Sequence, residues 1–129
     1  MERQAKGNLL LFLEELESVV VSEEKVVCER IKKDSFYSIY DVISSIRNYA
    51  ESIKCLVFDE VVYSTYRQAI NIKEFNEIND CLNKEFNSIE EFIDDNLFEL
   101  YDKNVTTFME IYFYIESGLT AIFRIIKDL

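Results

Sequence analysis

Between Ser88 and Asp102 the chain reads SIEEFIDDNLFELYD, which places six carboxylates (Glu90, Glu91, Asp94, Asp95, Glu99 and Asp102) in fifteen residues with no basic side chain. Carboxylates at this density can do three kinds of chemistry. Two held across a cleft can serve as general acid and base, provided their surroundings drive their pKa values apart, as in glycoside hydrolysis. A convergent set can hold a divalent cation. A solvated array can attract and orient a basic macromolecule. A convex run of hydrated acids lacks the environment that the first requires, and charge density alone supports only weak magnesium binding. The rest of the chain narrows the chemistry further. It contains no His, which removes the Ser-His and Cys-His nucleophile pairs, the commonest metal ligand and the usual proton shuttle near neutral pH. Nor does it contain a Gly-rich phosphate loop, a GxSxG turn or a DxDxDG calcium loop. The expectation is a non-catalytic protein with no cofactor and no metal.

The formal net charge is −11, and the imbalance is local. Residues 74–104 carry ten acidic and two basic groups, whereas 1–35 carry eight and six, 36–73 four and four, and 105–129 three and two. At about 100° per residue, Ile89, Phe92, Ile93, Leu97 and Leu100 gather on one side of a helix after Ser88, and the six acids take the opposite arc. Phe98 and Tyr101 fall inside that acidic arc. The preceding segment adds Glu74, Glu77, Asp80 and Glu85 on its own polar side. Like charges four apart (Glu90 with Asp94, Glu91 with Asp95, Asp95 with Glu99) each cost a helix roughly 0.2–0.5 kcal/mol. A solvated face that merely keeps the protein soluble would look similar in charge. The aromatics point instead to an interface, in which a ring supplies buried area while carboxylates steer a basic partner and fix its register. The candidate partner-binding residues are therefore Glu77, Asp80, Glu90, Glu91, Asp94, Asp95, Phe98, Glu99, Tyr101 and Asp102. Nucleic acid is opposed as a partner, since no basic face exists to meet phosphates.

The elements that must position these residues follow from composition. At 129 residues, 49% of them hydrophobic, the chain fits one domain, 1–129, able to bury a core without disulfides or metal. No Pro and only two Gly leave little of the punctuation that strands and hairpins need, so the fold class is all-α. Cys28, Cys55 and Cys81 are odd in number and lack CxxC spacing, which fits a reducing compartment. The apolar run near the N-terminus ends at Glu14, too short for a signal peptide or a membrane span, so a cytoplasmic protein that does not enter a membrane is expected.

Capping and periodicity then divide the chain. Asn8 is placed to cap a first helix with apolar positions Leu9, Leu13, Leu16 and Val20, and Ser22 a short second one. Asp34 or Ser35 opens a long stripe through Phe36, Ile39, Ile43, Ile46, Ala50, Ile53 and Val57, running on, bent, to Ile70. Lys73 to Phe86 forms the next helix. A one-residue turn at Asn87 and an S-I-E-E capping box at Ser88 start another, which makes this the clearest boundary in the chain. Val105 to Asp128 is apolar around most of its circumference, with Met109 and Phe113 as well as Phe108 and Tyr112, as a helix at the centre of a bundle would be. The result is a single compact bundle of five to seven helices with a mostly buried C-terminal helix. Arg47 and Glu116 both border apolar arcs and are expected to pair.

Two resemblances bear on function. Arg47-Asn48 resembles the opening of the R-N-x4-H motif of HEPN-type helical ribonucleases, with Ile53 where the His belongs, which implies at most an inactive relative. The small, acidic, His-free helical character, concentrated in residues 74–102, is similar to that of immunity proteins of bacterial toxin systems, the colicin and contact-dependent growth inhibition types. That resemblance implies a partner that is a basic toxin nuclease domain, whose active or nucleic-acid-binding site the acids and Phe98 or Tyr101 would cover. Alternatives are a helical adaptor or virus-encoded Bcl-2-like protein gripping a partner helix in an apolar groove, and a DNA-mimicking phage inhibitor. A homodimer is also open.

Overall fold

The computed structural model describes residues 3–33 and 38–129, with side chains from Lys6 onward. Asp34, Ser35 and Phe36, expected to open the second long helix, lie outside them. Among the described residues there are five helices and no strand: α1 (Arg3–Lys33), α2 (Ile39–Tyr66), α3 (Ile72–Asp95), α4 (Leu97–Tyr101) and α5 (Val105–Lys127). They form one compact bundle in which α5 packs against α1, α3 and α4, and α2 against α1, α3 and α4.

The first correction concerns α1. Asn8 and Ser22 cap nothing, because a single helix of 31 residues runs through both. Leu9, Leu13, Leu16, Val20, Val27, Cys28 and Ile31 are all buried, at helical spacings that keep them on one side. Unbroken burial of this stripe outweighs the preference of an exposed Ser for a cap position.

Helix α2 begins at Ser38, whose hydroxyl accepts the Asp41 N–H at 3.4 Å, and it buries Ile43, Ile46, Ala50, Ile53, Val57 and Val61. It stops at Tyr66 rather than reaching Ile70. Gln68 adopts the left-handed conformation (φ 61°). The Gln68 N–H donates to the Thr65 carbonyl and the Ala69 N–H to that of Ser64, which is a Schellman motif built without glycine. Buried Ala69 and Ile70 then turn the chain into α3.

At α3 the strongest expected boundary is overturned. The helix starts at Asn71, which accepts the Glu74 N–H at 2.8 Å while the Glu74 carboxylate accepts the Asn71 N–H at 3.0 Å. That is the capping box, and S-I-E-E is not one. Asn87 and Ser88 lie inside a continuous helix of 24 residues, and the Ser88 hydroxyl donates back to the Lys84 carbonyl at 3.0 Å. Ile78, Leu82, Phe86, Ile89 and Ile93 are buried in one helical register, and a turn at Asn87 would carry the last two off the core.

The break comes at Asn96, whose side-chain amide donates to the Phe92 carbonyl at 2.8 Å. Helix α4 follows and is pinned by the fully buried Leu100. A second Schellman motif, with Lys103 at φ 59° and the Asn104 N–H donating to the Glu99 carbonyl, leads into α5, where Asn104 caps by accepting the Thr107 N–H. Helix α5 is less enclosed than its composition suggests. Phe108, Ile111, Tyr112, Ile115, Leu119, Ile122 and Ile126 are buried, but Met109 and Phe113 are exposed. Gly118 faces α3, and a Cβ there would sit 3.4 Å from the Glu85 Cβ and the Phe86 ring, at the near edge of ordinary contact.

The relocated boundary is directly testable. Asn71→Ala should cost about 1 kcal/mol of unfolding free energy, whereas Ser88→Ala should be neutral or slightly stabilising in the same urea titration, because Ala is the better interior helix residue.

Candidate functional site

Burial of the Ile78–Ile93 stripe fixes the rotation of α3, and the opposite arc must face water. Glu77, Asp80, Glu90, Glu91, Asp94 and Asp95 are all exposed. They share that arc with the exposed Lys84. Because α3 is one helix, the acids form a strip along a single rod and not the two-helix surface that a turn at Asn87 would have made. Asp80 lies about 15 Å along the axis from Glu90 at the usual helical rise, so Glu77 and Asp80 occupy one end of the strip and the denser group Glu90 to Asp95 the other. Glu74 and Glu85, also on the expected acidic side, are only half-exposed, Glu74 because it closes the capping box.

Past the break at Asn96 the remaining candidates lie on α4 and at its C-terminal cap, Asp102. Phe98 is 84% exposed and Tyr101 46%, so neither ring is covered by a neighbouring helix. Glu99 and Asp102 are exposed beside them. Leu100, at 0% exposure, holds this five-residue helix against α2 and α5 and turns Phe98 outward. A large apolar ring held in water and flanked by carboxylates carries an unfavourable hydration that contact with a partner would relieve.

Arg47 does not pair with Glu116. Its guanidinium meets the Asp94 carboxylate at 2.5 Å across the α2–α3 seam, with the two side chains 32% and 60% exposed, a pair worth under about 1 kcal/mol. Asp94 is therefore partly neutralised within the fold. Glu116 lies on the α1–α5 seam, in a shallow groove of about 380 Å³ with Glu17 and Arg124. Burial first, then the carboxylates of Glu24 and Glu17, push its pKa above the ordinary value of 4.5.

The sequence reading missed an aromatic ladder beside the strip. Phe92 on α3 lies against Tyr114 on α5, with ring centroids 4.9 Å apart, and Tyr114 meets the exposed Phe113 at 6.1 Å. The only signal available was the i, i+1 aromatic pair in IYFYI, which by itself reads as core. On the other flank, exposed Val62, Tyr66 and Ile72 adjoin the Phe58–Phe75 edge contact across α2 and α3.

Among the described residues no group of three or more His, Cys, Asp or Glu is placed to hold a metal ion. Likewise, among them no helix is long and apolar enough to cross a membrane. Comparison with protein-family models, with curated proteins and with solved structures yields no match.

Two outcomes follow from this geometry. Phe98→Ala should leave the melting temperature within experimental scatter, whereas Leu100→Ala, which empties a fully buried site, should cost about 2–5 kcal/mol. For Glu116, a raised native pKa means that the folded state holds its proton longer than the unfolded chain, so its contribution is favourable below pH 4.5 and is lost as pH rises through the higher native value. Glu116→Gln should therefore stabilise the protein at neutral pH and lose that advantage near pH 4, as read by thermal melts across that range.

Proposed function

We propose that the protein is a non-catalytic inhibitor that binds a basic protein partner, and that its character fits an immunity protein neutralising a nuclease-type toxin by occlusion. What supports this reading is the exposure of the acids Glu90, Glu91 and Asp95 near the end of α3, followed within seven residues by exposed Glu99 and Asp102 and the 84%-exposed Phe98. In such a complex the carboxylates meet the Lys and Arg that would otherwise hold phosphate, and Phe98 or Tyr101 fills a pocket between them. Long-range attraction brings the partner in, and the ring supplies the buried area that keeps it. The protein acts by covering a site, so it needs no chemistry of its own.

A groove-binding adaptor is the second reading, favoured by the exposed Val62, Tyr66 and Ile72 beside Phe58. Ionic strength separates the two, because an apolar contact is nearly indifferent to salt while a strip of carboxylates is screened beyond about 10 Å at 0.1 M. A DNA-mimicking inhibitor shares the acidic mechanism and differs only in its target.

Because Asp94 is tied to Arg47, the informative charge reversal is Glu91→Lys with Asp95→Lys. Against a panel of basic toxin nuclease domains, this double variant should keep the wild-type melting temperature and lose at least tenfold in affinity for any domain that the wild type inhibits. Unchanged protection of the nuclease substrate would remove the strip from the mechanism.

A further inference from the structure

A second site lies away from the acidic arc, between the C-terminal half of α1 and the start of α2. A cavity of about 170 Å³ opens there. Its walls are the apolar side chains of Val27, Ile31, Val42 and Ile46, and Glu23 and Asp41 supply carboxylates. Arg30 also lines it, but that side chain is exposed and engaged in an interaction of its own. Tyr112 of α5 reaches the cavity from the core. Its side chain is 0% exposed, yet its hydroxyl has no hydrogen-bond partner, and the same holds for the Tyr49 hydroxyl, whose ring centroid is 6.2 Å from that of Tyr112.

A buried hydroxyl left unpaired carries its full desolvation cost, so two of them on neighbouring rings mark a place where a polar group belongs. Burial first, and then the nearby Glu23 carboxylate, push both phenols up from their ordinary value. They are therefore neutral, with oxygen lone pairs available to a donor. Two carboxylates against one engaged guanidinium favour a cation over an anion. The apolar walls ask for carbon.

We infer that this cavity binds a primary ammonium on a short apolar stem, its nitrogen between the Glu23 carboxylate and the Tyr112 hydroxyl and its carbons against Val27, Ile31, Val42 and Ile46. A cavity of about 150 Å³ holds benzene, so the volume accommodates a four-carbon stem. Such a group comes either from a free alkylamine or from a lysine side chain of another protein. The site stands independently of the acidic strip.

The test is an amide nitrogen–proton NMR titration of the full chain with n-butylamine, with butanol and butyrate as neutral and anionic counterparts. Saturable shifts are expected at Val27, Ser45, Ile46 and Tyr112, with butanol and butyrate at least tenfold weaker. Glu23→Gln should weaken butylamine at least tenfold and Tyr112→Phe severalfold, both with folded spectra. Equal binding of Nα-acetyl-lysine methylamide would identify a protein lysine as the source, and its exclusion a free amine. Shifts confined to the exposed face of α3, equal affinity for all three compounds, or no saturation would overturn the assignment. So would undiminished binding to Glu23→Gln, which replaces an incompletely buried side chain and is not expected to unfold the protein.

Discussion

The candidate surface depends on one constraint, the rotational lock that burial places on α3. Ile78, Leu82, Phe86, Ile89 and Ile93 are each 4% exposed or less, and together they remove enough apolar surface from water to dominate every local preference in the segment. A fully buried aliphatic or aromatic side chain contributes roughly 1.5–3 kcal/mol, so five of them outweigh a serine's capping preference and several like-charge contacts. Once that face is committed inward, the carboxylates have no direction left but solvent. The strip is thus a consequence of core packing, and its placement is as secure as the core.

Maintaining the strip is unfavourable by itself. Acids spaced four apart repel, and α3 has no basic residue in its last turn to complement the helix dipole. The fold offsets part of this locally. The Asn71–Glu74 box satisfies the start of the helix, the Asn96 side chain takes up a carbonyl at its end, and Arg47 reaches over from α2 to Asp94. The two Schellman turns also close without glycine, with Gln68 and Lys103 in a left-handed conformation that strains a side-chain-bearing residue. Natural sequences tend to retain such costs where an exposed arrangement is used. Lys103 in particular fixes how the chain turns from α4 into α5.

How much was legible in the sequence depended on which physical signal was read. The all-helical class, a bundle within the expected five to seven helices, the bounds of α5 to within a residue and the inward set Ile89, Ile93 and Leu100 all came from periodicity and from the absence of Pro, signals that reflect burial. Among the described residues the boundaries placed by a capping motif alone were wrong: Asn8, Ser22 and Ser88 sit inside helices, because a cap acts only where the backbone is free to leave the helix. The real box at Asn71–Glu74 went unread, since the preceding helix was run on to Ile70 and the next begun at Lys73, which left Asn71 in the gap between them. The αL turns were invisible because Gln and Lys are not turn residues by type. Arg47 was correctly placed at the edge of the core, but its partner was not recoverable, since pairing across a seam requires the register of α2 against α3. The exposure of Phe98 was suggested by the wheel, although the break at Asn96 that turns it outward was not.

On the proposed reading, an acidic strip with an exposed ring would act before contact by steering and after contact by burial. The aromatic ladder of Phe92, Tyr114 and Phe113 runs from α3 to α5, and in the proposed complex it would offer the partner's long basic side chains a flat face to lie on. Separating these contributions requires kinetics. The most direct measurement is the association rate with an inhibited basic nuclease domain as ionic strength is raised from about 20 mM to about 300 mM, where steering predicts a fall of tenfold or more with a much smaller change in dissociation rate. An association rate that stays within about twofold over that range, with binding intact, would contradict a docking role for the acidic strip.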